Sequence, residues 1–213
     1  RVRLAIFPSA ALMVLPGLLH RVAQVDGLEL EVRDVDMSPP EVPGLLADFD
    51  VVVTHRDEHA DPWPTDRMDV EPLLREPLDV VLPPGHRLAK RRKVELSDLA
   101  HERWISVDIG FPVDDVLRSL AVRTGVRANI VHRINDFRIT EALVAAGHGV
   151  ALLPRYTVDT RGGKRLLRKP LAGTRAARHI DAVLRPSSRA RPAVCRLVEL
   201  LHAEVVAAVK EPR

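Results

Sequence analysis

RVRLAIFPSAALMVLPGLLHRVAQVDGLELEVR, residues 1–33, decides the fold class. Residues Arg1–Phe7 alternate as a strand does, and Pro8 and Ser9 end it. Leu15, Leu18, Leu19 and Val22 then recur at i, i+3, i+4 and i+7, the stripe of an amphipathic helix. Pro16 fits such a helix only early or at a kink. Asp26-Gly27 turns the chain, and Leu28, Leu30 and Val32 alternate with charged neighbours as a second strand. Strand, helix, strand is a βαβ unit with a right-handed crossover.

Outward from this unit the alternation continues. A short helix is expected over 40–48, with Leu45 and Leu46 inward. Asp50-Val-Val-Val-Thr54 is a continuous apolar run, as in a parallel strand covered on both faces. His55–Thr65 is polar, holds Pro62 and Pro64, and reads as a loop. Strands follow at Val70–Leu74 and Leu78–Leu82, divided at Pro77. A loop over Val107–Pro112 leads to a helix over about 114–123, stopped at Thr124-Gly125. Next come a strand at Asn129–Ile134 and a helix over about 136–146 capped by Asn135 or Asp136, with Ile139, Leu143 and Val144 inward. Strands at Val150–Leu153, Leu166–Leu171 and Ile180–Arg185 precede a final helix over about 192–209. Alternating strands and helices define an α/β class.

With 213 residues, 46% of them hydrophobic, the chain can bury a sizeable core, and only 3% are aromatic, so aliphatic side chains do most of the packing. Cys195 is the only cysteine, which excludes a disulfide framework within the chain and favours a reducing compartment, the cytoplasm. No apolar run reaches the roughly 18 residues of a membrane span, and no signal-peptide core stands behind Arg1. The net charge of +3 is spread along the chain apart from Lys90-Arg91-Arg92-Lys93, which reads as a solvated loop.

Several catalytic patterns are excluded. There is no G-x-S-x-G elbow, no P-loop and no G-x-G-x-x-G. His55-Arg56-Asp57-Glu58-His59 matches H-x-x-E-H, but that zinc chemistry needs a helix, and this run falls in a Pro-rich loop. No metal and no cofactor are expected. Gly147-His148-Gly149 reads as a helix stop, and Cys195, beside apolar Val194, as a buried inert thiol.

Two stretches resemble the LysR-type transcriptional regulators. Glu71–Ala89 ends in His86-Arg-Leu-Ala89, like the family's crossing strand and His-x-Leu-Ala turn, and is followed by Val94–Leu99 and Trp104-Ile105 in the family's order. Val144-Ala-Ala-Gly-His-Gly-Val-Ala-Leu-Leu-Pro154 resembles its V-A-A-G-x-G-I-A-L-L-P signature. Leu46-Ala-Asp-Phe-Asp50 departs from the usual pattern, being shorter and without the glycine.

The resemblance implies a type II periplasmic-binding-protein fold, with two α/β lobes and a ligand cleft between them. One lobe is expected from residues 1–75 plus 181–213 and the other from 76–180. It further implies an effector-sensing domain and no enzyme, self-association as dimers or tetramers, and DNA contact only through a winged helix-turn-helix outside this chain. By the same resemblance the effector, expected to be a carboxylate, is lined by Pro8, Ser9, Ala10, Ser38, Thr54 and His55 from one lobe. Ile109, Gly110, Phe111, Asp136 and Phe137 line it from the other. Without the resemblance these are ordinary positions beyond strand ends, and Ser9 would simply cap the first helix. A solute-binding protein of a transporter, or an enzyme on the same fold, are the alternatives.

Overall fold

The computed structural model describes residues 1–64 and 67–210. The elements run β1 (Val2–Ile6), α1 (Pro8–Val22), β2 (Leu30–Asp34), α2 (Val42–Leu45), β3 (Val51–Asp57), β4 (Asp69–Leu82) and β5 (Arg103–Ser106). They continue α3 (Pro112–Thr124), β6 (Asn129–Arg133), α4 (Phe137–Ala145), β7 (Val150–Pro154), β8 (Leu167–Lys169), β9 (Ala177–Leu184) and α5 (Pro192–Lys210). The described residues form two compact units, one from Arg1–Arg56, Ala60–Arg75 and His179–Lys210, the other from Asp57–His59 and Glu76–Arg178. Thr65, the expected end of the loop after the third strand, and residues 211–213, the expected end of the first lobe, lie outside the described residues.

In the first unit β1 pairs in parallel with β2 (Val2↔Leu30 to Ile6↔Asp34) and with β3 (Leu4↔Val51 to Ile6↔Val53). Alternation splits the apolar side chains between two faces. Leu4, Ile6, Val51 and Val53 meet α1 and α5 residues such as Leu18 and Leu201, whereas Ala5 and Val52 meet Met37, Val42 and Leu46. Parallel pairing puts the carboxyl ends of β1, β2 and β3 at one edge.

The second unit repeats the scheme. β5 pairs in parallel with β6 and β7, and β4 pairs antiparallel with β7 and β8. Val80, Leu82, Trp104, Val150 and Leu152 pack with Val116, Leu117 and Leu120 of α3, while Val81, Ile105, Ala151 and Leu153 pack with Val144 of α4.

Five expectations need correction. Helix α1 starts at Pro8, seven residues before the stripe read from the sequence. Proline's fixed φ suits a first helical position, so Pro8 starts the helix as well as ending the strand. The buried row is Ala10, Val14, Leu18 and Val22, and Leu19 is 46% exposed. Pro16 stands mid-helix, exposed.

Second, β3 runs on through His55, Arg56 and Asp57, which had been placed in a loop. Third, β4 is a single strand of 14 residues through Pro72 and Pro77. Proline cannot donate, but Pro77 carbonyl accepts from Arg155 N–H at 2.9 Å and Leu78 N–H bonds Ala176 O at 2.9 Å, so pairing resumes immediately. Fourth, α4 turns Thr140, Glu141 and Val144 inward and leaves Ile139 51% exposed, because its first turn is set by the Asp136 cap. Fifth, in the short helical segment at 39–45 it is Val42 and Leu46 that are buried, with Leu45 only partly covered.

Candidate functional site

The edge of the first unit is built from three strand ends. Beyond β1, Phe7 is extended at the N-cap of α1, with Pro8 at N1 and Ser9 at N2. Ser9 therefore lies inside the helix rather than capping it. The first turn of a helix directs N–H groups outward along its axis, an arrangement suited to anions. Ala10 is 2% exposed and belongs to the core of this unit.

Beyond β2, Ser38 Oγ donates to Glu41 Oε2 at 2.6 Å and Ser38 N–H donates to the same oxygen at 2.7 Å, a capping box over the turn Pro39–Glu41. The Ser38 hydroxyl bond, followed by the backbone bond, holds the Glu41 carboxyl below its ordinary range.

Within β3, one residue past its last pair with β1, Thr54 is 0% exposed and its Oγ1 has no hydrogen-bond partner among the described residues. Thr54 and His55 were expected just past this strand and instead lie within it. The His55 ring stacks on Phe7, centroids 4.1 Å apart and planes at 20°.

In the second unit the parallel strands β5 and β6 end side by side. Ser106, the last residue of β5, is 3% exposed, and its Oγ is likewise without a partner among the described residues. A buried hydroxyl left unbonded costs about 1–3 kcal/mol, and Thr157 Oγ1 and Thr174 Oγ1 are two further cases among the described residues, so Thr54 and Ser106, set in and at the end of parallel strands, need an explanation. In the sequence Ser106 carries one signal only, a polar residue closing a buried run.

The following turn is tight. Gly110 has φ +90, in the left-handed region glycine favours, and Phe111 N–H bonds Asp108 O at 3.3 Å. Ile109 at its tip is 69% exposed, and Phe111, the N-cap residue of α3, is partly covered by the neighbouring core. Asp136 caps α4, its carboxylate accepting from Arg138 N–H at 2.7 Å. Phe137 packs into both cores of this unit, with the Arg178 guanidinium 5.8 Å from its ring centre.

Several other charged side chains are paired within one unit. Arg178 bonds Glu76 at 2.7 Å, both almost wholly buried, and Arg155 grips Asp79 through two bonds of 2.7 and 2.8 Å. Burial raises the Glu141 carboxyl, against the pull of Arg165 at 2.8 Å. The H-x-x-E-H run holds no zinc geometry: His55 is in a strand, the His59 ring meets Arg123 at 2.6 Å, and among the described residues no acidic, His or Cys group could hold a metal ion. Cys195 is half-buried rather than buried, its thiol donating to Arg189 O at 3.2 Å. Lys90–Lys93 is exposed, Arg91 pairing with Asp98 at 3.0 Å. Among the described residues no helix is long and apolar enough to cross a membrane.

Residues 1–206 match the LysR substrate binding domain. The fold is of the type II periplasmic-binding-protein kind, and such a domain is the effector-binding part of a transcriptional regulator. This chain belongs to that family.

Among curated relatives it is 30% identical, over 189 residues, to a probable hydrogen peroxide-inducible genes activator of Mycobacterium avium, covering 87% of this chain and 59% of that protein. The chain thus spans about three-fifths of that relative's length or less of the curated relatives it matches. A putative LysR family transcriptional regulator from Pseudomonas aeruginosa superposes with TM-score 0.82 at 24% identity, over 96% of this chain and 71% of that one. The effector binding domain of QuiR in complex with shikimate superposes with TM-score 0.77 at 15% identity, over 99% of this chain and 97% of that one. These likenesses are of fold.

Proposed function

We propose that this chain is a non-enzymatic effector sensor that binds a small organic carboxylate and passes the change to a DNA-binding domain outside the sequence. The observation that carries this reading is that two of the four buried hydroxyls without a partner among the described residues, Thr54 Oγ1 and Ser106 Oγ, lie one in each unit, Thr54 one residue past the last β1–β3 pair and Ser106 at the end of β5. In open α/β sheets ligands bind beyond the carboxyl ends of strands, and a ligand oxygen would satisfy groups that otherwise only cost stability.

The first unit adds Ser9 and the first turn of α1, where a carboxylate meets outward N–H groups. The second adds the turn Ile109-Gly110-Phe111 and the start of α4 at Asp136-Phe137. The fold match to a domain holding shikimate, itself a carboxylate, supports this class. Thiol chemistry has less to work with, since Cys195 is the only cysteine and lies on α5, away from these strand ends in the sequence.

In this reading the domain acts in the cytoplasm and self-associates as a dimer or tetramer. The ligand prefers one arrangement of subunits and shifts the population toward it. The test is the reading frame upstream of Arg1 in the native gene, together with the inducer response of its product. A helix-turn-helix followed by a linker helix, and loss of response on replacing Ser9 and Thr54 by bulky residues, are expected. A cleaved export signal, or an unchanged response, would contradict the proposal.

A further inference from the structure

Three consecutive residues at the end of β6 hold three consecutive residues at the end of β5. Arg133 Nη1 donates to Val107 O at 2.5 Å and to the buried Asp114 carboxylate at 2.8 Å. Ile134 N–H donates to Ser106 O at 2.7 Å. Asn135 closes the series with both ends of its amide: its Oδ1 accepts from Asp108 N–H at 2.9 Å, and its Nδ2 donates to Asp108 Oδ2 at 3.3 Å.

The next residue, Asp136, caps α4. The two stretches of this unit that the proposed function assigns to the ligand, the 108–111 turn and the start of α4, are therefore joined through one side chain. Phe111 and Phe137 anchor the two stretches in the core, whereas Asp108, Ile109 and Asp136 are exposed and Gly110 brings no side chain to pack.

We propose that Asn135 is a positioning residue that makes the 108–111 turn and the first turn of α4 a single element, so that a ligand meets the two already set relative to each other. The inference rests on the proposed function for its meaning and on the Asn135–Asp108 pair for its mechanism. An amide suits position 135 because Asp108 offers a donor, its N–H, and an acceptor, its carboxylate. Only a side chain with one of each satisfies both. Preorganisation of this kind raises affinity by lowering the ordering cost of binding.

The test is hydrogen exchange on the chain with Asn135→Asp, which keeps the acceptor but sets carboxylate against carboxylate, and with the swap Asn135→Asp plus Asp108→Asn, which restores donor and acceptor. Asn135→Ala, lacking both groups, is the second single variant. In each single variant the amides of 108–111 and of 138–140 exchange about tenfold faster together, while those of β7 do not change. The swap returns both segments to within about twofold of the wild type. Acceleration of only one segment, an equal acceleration in β7, or failure of the swap to restore the pattern overturns the inference. Failure of the ligand reading looks different: the exchange pattern is as expected, yet no carboxylate of a panel that includes shikimate protects either segment.

Discussion

A Cβ built on Gly149 would stand 2.6 Å from the carbonyl oxygen of Arg103, a separation that real Cβ atoms essentially never show. Gly149 immediately precedes β7, and Trp104 of β5 pairs with Val150, so the two backbones meet before the ladder begins. Gly147 earlier in the same motif has φ +82 and ends α4. The two glycines of Gly147-His148-Gly149 thus serve different ends, one dihedral and one steric.

Gly149→Ala is expected to destabilise the chain by about 2 kcal/mol, since the obstacle is backbone rather than a movable side chain. Urea unfolding checks this. His148→Ala, at an exposed position of the same turn, leaves the midpoint where it was.

Arg178→Met is expected to cost about 3–5 kcal/mol, because it strands the wholly buried Glu76 carboxylate. Adding Glu76→Gln removes the stranded charge and recovers most of the loss. A double-mutant cycle by thermal melting measures the coupling, and equal costs for the single and double variants would contradict it.

Asp50 gives a pH-dependent stability of defined sign. Burial pushes its carboxyl up, but the Arg3 N–H at 2.8 Å and the Arg191 guanidinium at 2.5 Å outweigh it and leave the group below its ordinary value. A carboxyl whose folded value lies below the unfolded one stabilises fully above about pH 4 and loses that contribution as pH falls through the folded value. Asp50→Asn is therefore less stable than the wild type at pH 7, with the gap narrowing below about pH 4. Denaturant midpoints across pH 2–7 measure it.

Much of this architecture can be read from residue pattern, and the failures have physical causes. Val51–Val53 announces a buried parallel strand because every side chain is apolar and β-branched, and the Asp136 cap and Gly125 stop mark helix ends by local chemistry. The first helix was misplaced because Pro8 can end a strand or begin a helix, and only the packing of Ala10 against the core selects the second. His55–Asp57 read as loop because polar residues were taken for solvated ones. In the fold His55 is covered by Phe7, and Asp57 accepts from Ser119 Oγ at 2.7 Å. Of the candidate site, residues beyond strand ends were legible from periodicity and resemblance. Ser106 was not, since what marks it is a missing partner, and that is a property of three-dimensional surroundings.

Thr54→Val and Ser106→Ala bear most directly on effector sensing, because each removes an unbonded buried hydroxyl and little else. The decisive measurement is thermal melting of the wild type and both variants, alone and with a graded panel of small carboxylates that includes shikimate. Without ligand, each variant is expected to be as stable as the wild type or up to about 1 kcal/mol more so. At least one carboxylate should raise the wild-type midpoint in a saturable way, and that rise should be lost in both variants. A wild type that responds to none of the panel, or a rise that survives both substitutions, would contradict the account.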